Sequence, residues 1–112
     1  MAQKPSQGLL QMILFIDTSD REKIKVGLDG KVFETVAKEG ASQKLLSFID
    51  EILKKEGTSI KQITEIEVNT GPGSFTGLRV GVSVANALGW ALKVPVNGKD
   101  ISKGEILDIK YS

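Results

Sequence analysis

Cysteine and histidine are both missing from the 112 residues, and each absence removes a class of chemistry. Without thiols there is no disulfide, no cysteine nucleophile and no thiolate metal site. Without imidazole, the commonest general base near neutral pH and the commonest metal ligand are gone, and a Ser-His-Asp arrangement cannot be built from this chain. An excess of one charge is lacking too: fifteen basic residues against fourteen acidic leave a formal net charge of +1, so no broad field draws a polyanion such as RNA onto the surface. No apolar run approaches the roughly 18 residues of a membrane span. Met1 to Gln11 (MAQKPSQGLLQ) lack the apolar core of a secretory signal. A soluble, cytoplasmic protein is the expectation. With 40% hydrophobic residues, the chain has enough for one core, and one domain of about 100 residues is the ordinary size for such a core.

What is present falls into a clear order. Met1–Gln11 reads as an extension outside the fold, broken by Pro5 and Gly8, and pattern begins at Met12. Ile13-Leu14-Phe15-Ile16 is a continuous apolar run closed by Asp17-Thr18-Ser19, as expected of a central strand buried on both faces. Lys23 to Leu28 alternates, with Ile24, Val26 and Leu28 on one side; Asp29-Gly30 then signals a two-residue hairpin, and Lys31 to Lys38 returns as a third strand. From Lys44 to Lys55 the period changes to three and four, with Leu45, Leu46, Ile49, Ile52 and Leu53 on one face, which predicts an amphipathic helix stopped by Gly57. Ile63 to Asn69 reads as a fourth strand, and Ser74 to Leu92 as an apolar helix capped by Ser74 or Thr76. Lys93 to Val96 is expected as a last short strand of a domain spanning residues 12–96. Residues 97–112 form a polar tail in which Glu105 to Lys110 has room for one strand. The sum is a single α/β domain: an antiparallel meander joined to parallel crossovers, with two main helices.

The glycine-rich turn Gly71-Pro72-Gly73-Ser74-Phe75-Thr76-Gly77-Leu78-Arg79 invites a phosphate reading, because glycines let backbone amides approach an anion at a helix start. Its spacing fails each known template. Five residues separate Gly71 from Gly77 where a P-loop needs four followed by Lys and Ser or Thr, and Thr76 stands where a dinucleotide fingerprint needs glycine. Pro72 and Thr76 flank Ser74 where a nucleophile elbow has glycines. Asp17, Thr18 and Ser19, at the tip of the first strand, are candidate contacts to a nucleotide phosphate and its metal, or simply turn residues bonding their own backbone. In the second helix Gly77, Gly81, Ala85 and Gly89 recur every four residues and make a stripe without bulk. Glycine inside a helix costs about 1 kcal/mol against alanine, so such a stripe asks for a close neighbour in return. Such a helix expects cover on two sides: one can be the sheet of its own domain, the other the chain's own first helix, against which the stripe would pack, or the same region of a partner.

Three segments carry a family resemblance: Ile13 to Ser19, Gly71 to Arg79, and the Gly81-containing helix with Pro95 beyond it. On them the chain resembles the TsaB family, also called YeaZ, the bacterial partner subunit in threonylcarbamoyladenosine synthesis on tRNA. The resemblance covers residues 12–96 and the first half of a usual member. It implies one RNase H-like half-domain of the actin, heat-shock-chaperone and sugar-kinase superfamily, with a mixed sheet. It also implies a non-catalytic subunit that binds and activates a TsaD-like enzyme, with a TsaE-like ATPase as a further partner, a homodimer when isolated, no strong direct tRNA binding and no membrane. No cofactor is required on this reading; weak ATP or ADP with magnesium at Asp17, Thr18 and Ser19 is the alternative. The implied partner seam runs along Gly77, Gly81, Ala85 and Gly89. Phe75, Leu78, Val82, Leu45 and Ile49 are its apolar neighbours. Two competing readings are a remnant ATPase or kinase half completed by self-association, and a homodimeric module outside the pathway.

Overall fold

The computed structural model describes residues 11–37 and 41–104, the side chain of Ser102 excepted. Three strands come first, β1 (Ile13–Asp17), β2 (Lys23–Leu28) and β3 (Lys31–Val36), then α1 (Ala41–Lys55), β4 (Glu65–Val68) and α2 (Phe75–Leu92). Short 3-10 turns lie at Ile60–Gln62 and Ile101–Lys103. The sheet order is β3-β2-β1-β4, with β1 antiparallel to β2, β2 antiparallel to β3, and β1 parallel to β4. This is the expected meander joined to a crossover. At the hairpin Asp29 (φ 51) and Gly30 (φ 85) both take positive φ, the backbone that lets a two-residue turn follow the strand twist.

Alternation decides where the core lies. Leu14, Ile16, Ile24, Val26, Leu28, Ile66 and Val68 are buried on one sheet face, together with Leu45, Ile49, Ile52 and Leu53 of α1 and Val82, Val84 and Ala85 of α2. The apolar run of β1 suggested burial on both faces, yet Ile13 and Phe15 are only half-buried. They point to the opposite side, where Gly27 stands across from Phe15 and Val32 and Val36 are 62% and 58% exposed. Both helices share the first face, which leaves the second open.

Helix ends follow local chemistry. α1 begins at Ala41, earlier than the apolar period indicated, and its end is followed by Gly57 at φ 69, with the Thr58 amide donating to the Leu53 carbonyl. Lys31 ties the hairpin to this end through Glu56 at 2.9 Å. Ser74 caps α2, its hydroxyl accepting from the Gly77 amide at 3.3 Å. The strand expected over Lys93 to Val96 is reduced to a single parallel bridge, Ile66 to Val96. Asn97 continues that edge with its side chain: the Val68 amide donates to Asn97 Oδ1 at 2.8 Å, and Asn97 Nδ2 donates to the Val68 carbonyl at 2.9 Å. The strand expected over Glu105 to Lys110 lies outside the described residues, as do residues 1–10 of the expected extension.

The glycine stripe of α2 has a different neighbour from the one expected. A Cβ on Gly77 would collide with the Thr18 carbonyl oxygen, one on Gly81 with the Thr18 hydroxyl, and one on Gly89 with Val96. The close-approach seam is therefore filled by β1 and the Val96 bridge of the same chain, and neither α1 nor a second subunit enters it. Leu45, Ile49, Leu78, Val82 and Ala85 are likewise core residues, from 0 to 6% exposed. Of the expected interface set, Phe75 stands out at the surface, 46% exposed. Gly77→Ala should therefore lower stability by about 1–3 kcal/mol although alanine is the better helix former, because backbone has to move. Gly81→Leu should be worse still. Chemical denaturation of both variants checks this; unchanged midpoints would mean that α2 does not lie this close to β1.

Candidate functional site

Two places on the described chain gather functional side chains. The first is the crevice at the carboxyl ends of the parallel pair β1 and β4, where open α/β sheets commonly hold ligands. Asp17, Thr18 and Ser19 leave β1 here, Asn69 leaves β4, and the Gly71-Pro72-Gly73-Ser74 turn, with a cis Gly71–Pro72 bond, leads into α2. The Ser74 amide donates to the Ser19 carbonyl at 2.8 Å, and the Gly71 amide to Asn69 Oδ1 at 3.0 Å. The crevice is thus stitched together from within.

The three residues expected to meet phosphate are mostly occupied. Thr18 is buried, 3% exposed, and its hydroxyl points into α2, donating to the Gly77 carbonyl and accepting from the Gly81 amide at 3.0 Å. It holds the helix and does not reach solvent. Asp17 Oδ1 accepts from the Ser19 amide at 2.9 Å, the Ser19 hydroxyl at 2.7 Å and Asn69 Nδ2 at 3.2 Å. Partial burial acts to raise the Asp17 pKa, but the Ser19 hydroxyl and amide, the Asn69 amide and the nearby Lys25 charge outweigh it, so the carboxyl titrates below its ordinary value. The donors do not fit a magnesium-nucleotide cradle: one carboxylate has an oxygen already taken three times and one of the two hydroxyls is buried. Among the described residues no group of three or more Asp or Glu side chains is placed to hold a metal ion.

The second place is the outer surface of the helix pair, away from the sheet. Leu46 (49% exposed) faces Ser83, Val84, Ala87, Leu88 and Ala91 across an apolar groove between α1 and α2. Toward the helix starts it continues past Ser42, Thr76 and Arg79. The other way, Ile49, Asp50, Leu53 and Ile60 line its extension beside Leu88. Phe75 stands at the helix-start end of it, and the Arg79 guanidinium lies 5.4 Å from the Phe75 ring; Trp90, on the outward side of α2, is 65% exposed. Ser83, Ala87 and Ala91 recur every four residues on this outward side, a second small-residue row that sequence reading passed over in favour of the glycines. The signal was available in the lone tryptophan set next to that row.

The profile of the family described as TsaD: tRNA N6-adenosine threonylcarbamoyltransferase matches residues 23–100. The chain is 38% identical over 91 residues to the tRNA threonylcarbamoyladenosine biosynthesis protein TsaB of Escherichia coli (strain K12), covering 77% of this chain and 38% of that protein. It is 37% identical over 101 residues to the tRNA N6-adenosine threonylcarbamoyltransferase of Nitrosospira multiformis, covering 90% of this chain and 28% of that one. YeaZ from Pseudomonas aeruginosa superposes with a TM-score of 0.65 at 27% identity, over 78% of this chain and 42% of that one. The chain therefore spans about two fifths or less of these relatives. The TsaB and YeaZ likeness and the α/β RNase H-like half-domain expected from sequence both hold. No described helix is long and apolar enough to cross a membrane.

Two outcomes test the crevice. Thr18→Val should cost about 1–3 kcal/mol by stranding buried peptide groups at nearly constant volume, read by thermal unfolding. Because the folded Asp17 pKa lies below the unfolded value of about 3.9, its stabilising part is present above that value and is lost as pH falls through the folded pKa. Asp17→Asn should flatten that acid limb in a pH-dependent unfolding series.

Proposed function

Because the chain belongs to the family of the tRNA N6-adenosine threonylcarbamoyltransferase TsaD, we propose that it is a non-catalytic subunit which binds a TsaD-like enzyme through the outer α1–α2 face and supports threonylcarbamoyl transfer to tRNA. The observation that carries this reading is the apolar groove at Leu46, Ser83, Ala87 and Leu88, beside a helix that also exposes Phe75 and Trp90, on a chain that resembles TsaB-named proteins. Exposed apolar patches of this kind commonly mark interaction sites, and buried aromatics dominate binding energy at interfaces. Ser83, Ala87 and Ala91 let a partner helix come close, the role first given to the glycines. The subunit's work is positional: it holds the enzyme's helices in one arrangement and leaves the chemistry to the enzyme. A TsaE-like ATPase is a further partner on this reading, and the near-neutral surface leaves tRNA contact to the enzyme. No cofactor is called for, since Thr18 is spent on α2 and Asp17 on Ser19 and Asn69.

Co-purification with a TsaD-like subunit, sized by light scattering, checks the reading. A one-to-one complex is expected. Ala87→Glu should weaken it at least about tenfold by setting a charge in an apolar contact, while leaving the thermal midpoint of the isolated chain within a few degrees. No complex with the wild-type chain, or a complex indifferent to Ala87→Glu, would remove this face from the account.

A further inference from the structure

The Gly71 to Arg79 motif ends on a cation that the crevice does not use. Gly77 and Gly81 lie against β1, so Arg79, two residues from each, is carried to the opposite side of α2. Thr76, Arg79, Val80 and Ser83 fall at i, i+3, i+4 and i+7 and share that side. Ser42, at the start of α1, faces them, and with Phe75 these residues line a pocket of about 280 Å³. None of the described residues that line it is acidic. Arg79 lies over the Phe75 ring but makes no ion pair among the described residues. The Ser42, Thr76 and Ser83 hydroxyls bond to no described residue either, whereas Ser47, further along α1, donates its hydroxyl to the Gln43 carbonyl at 3.0 Å.

We propose that this pocket binds a phosphate group, the Arg79 guanidinium pairing with two of its oxygens and the Ser42, Thr76 and Ser83 hydroxyls donating to the others. A guanidinium presents paired N–H groups that match an oxyanion, and an aromatic face beneath it holds the fork in place. A planar carboxylate is satisfied by that fork alone; hydroxyls arriving from two different helices suit a tetrahedral group with oxygens to spare. The Phe75 ring and Val80 add an apolar wall, and the volume is at the lower end of small-ligand pockets, the size for a small phosphorylated molecule or the free ion. RNA is a poorer match, because a net charge of +1 supplies few further cations for neighbouring phosphates. The site is built from side chains on the outward side of α2 and is separate from the glycine-lined crevice. It shares Ser83 with the apolar groove, but the inference rests on the chain alone.

Inorganic phosphate titrated into the isotope-labelled full chain at constant ionic strength tests this by NMR. Saturable shifts are expected at the Arg79 Nε–H and at the amides of Ser42, Thr76 and Ser83. Arg79→Gln should weaken binding at least about tenfold and Ser83→Ala about threefold. Lys55→Gln, which removes the same charge at the far end of α1 where Lys55 lies over Phe33, should leave binding unchanged. Malonate, with a similar charge carried on planar carboxylates, should bind more weakly than phosphate. Phenyl phosphate separates the two sources: tighter binding than the inorganic ion assigns the pocket to a phosphorylated small molecule, and equal or weaker binding assigns it to the free ion. Shifts that fail to saturate, a loss in Lys55→Gln as large as in Arg79→Gln, malonate binding as well as phosphate, or a short RNA binding more tightly than either phosphate probe would each overturn the proposal. Ser83→Ala keeps the test decisive if Arg79→Gln fails to fold. The enzyme takes no part in these measurements, so their failure leaves the proposed function standing.

Discussion

The close approach of α2 to β1 is the constraint on which the rest of the molecule depends. The Thr18 hydroxyl sits between the peptide groups of Gly77 and Gly81, and a Cβ at either glycine would strike Thr18. Each glycine inside the helix costs about 1 kcal/mol in propensity; what returns is a buried, fully bonded Thr18 and a helix laid almost on the strand. That contact fixes where α2 starts, and so where Ser74 caps it and where the cis Gly71–Pro72 turn passes over Ser19. It also turns the opposite side of α2 outward, which determines which residues a partner can reach.

Two surfaces remain after the core is closed, and they differ in kind. The sheet face bearing Ile13, Phe15, Val32 and Val36 is broken by charge, with Lys23 and Glu34 paired across it at 3.7 Å. The α1–α2 face is apolar at its centre, with charge only toward its ends at Arg79, Asp50 and Lys54. An apolar centre with a polar rim is the anatomy of a protein interface. The crevice between β1 and β4 stands apart from both, because its hydrogen-bonding groups are largely turned toward one another.

Sequence made the strands, the hairpin and both helices legible, because each has a local cause: the alternation of Ile24, Val26 and Leu28, the Asp29-Gly30 turn, the three-four period of α1, the Ser74 cap. The family was legible from Ile13 to Ser19 and Gly71 to Arg79. What periodicity could not decide was which of two helix faces meets the sheet. The glycines of α2 promised a close neighbour without saying whose, and the answer lies in Thr18, some sixty residues away in sequence. The two-sided burial expected of β1 failed for a related reason: Ile13 and Phe15 are apolar, but their partners across the ladder are Gly27, Glu65 and Glu67. The missing last strand has its own cause, since the Asn97 side chain supplies the ladder bonds that backbone would have made.

The central claim is that the outer face of α1 and α2 is the working surface. Amide chemical shifts of the isotope-labelled chain, followed as a TsaD-like subunit is added, test it residue by residue, and the single Trp90 indole N–H serves as an unambiguous reporter. The account expects the changes to gather at Leu46, Ser83, Ala87, Ala91 and the Trp90 indole. Changes confined to Asp17, Ser19 and Asn69, or to the open sheet face around Phe15 and Val32, would contradict it.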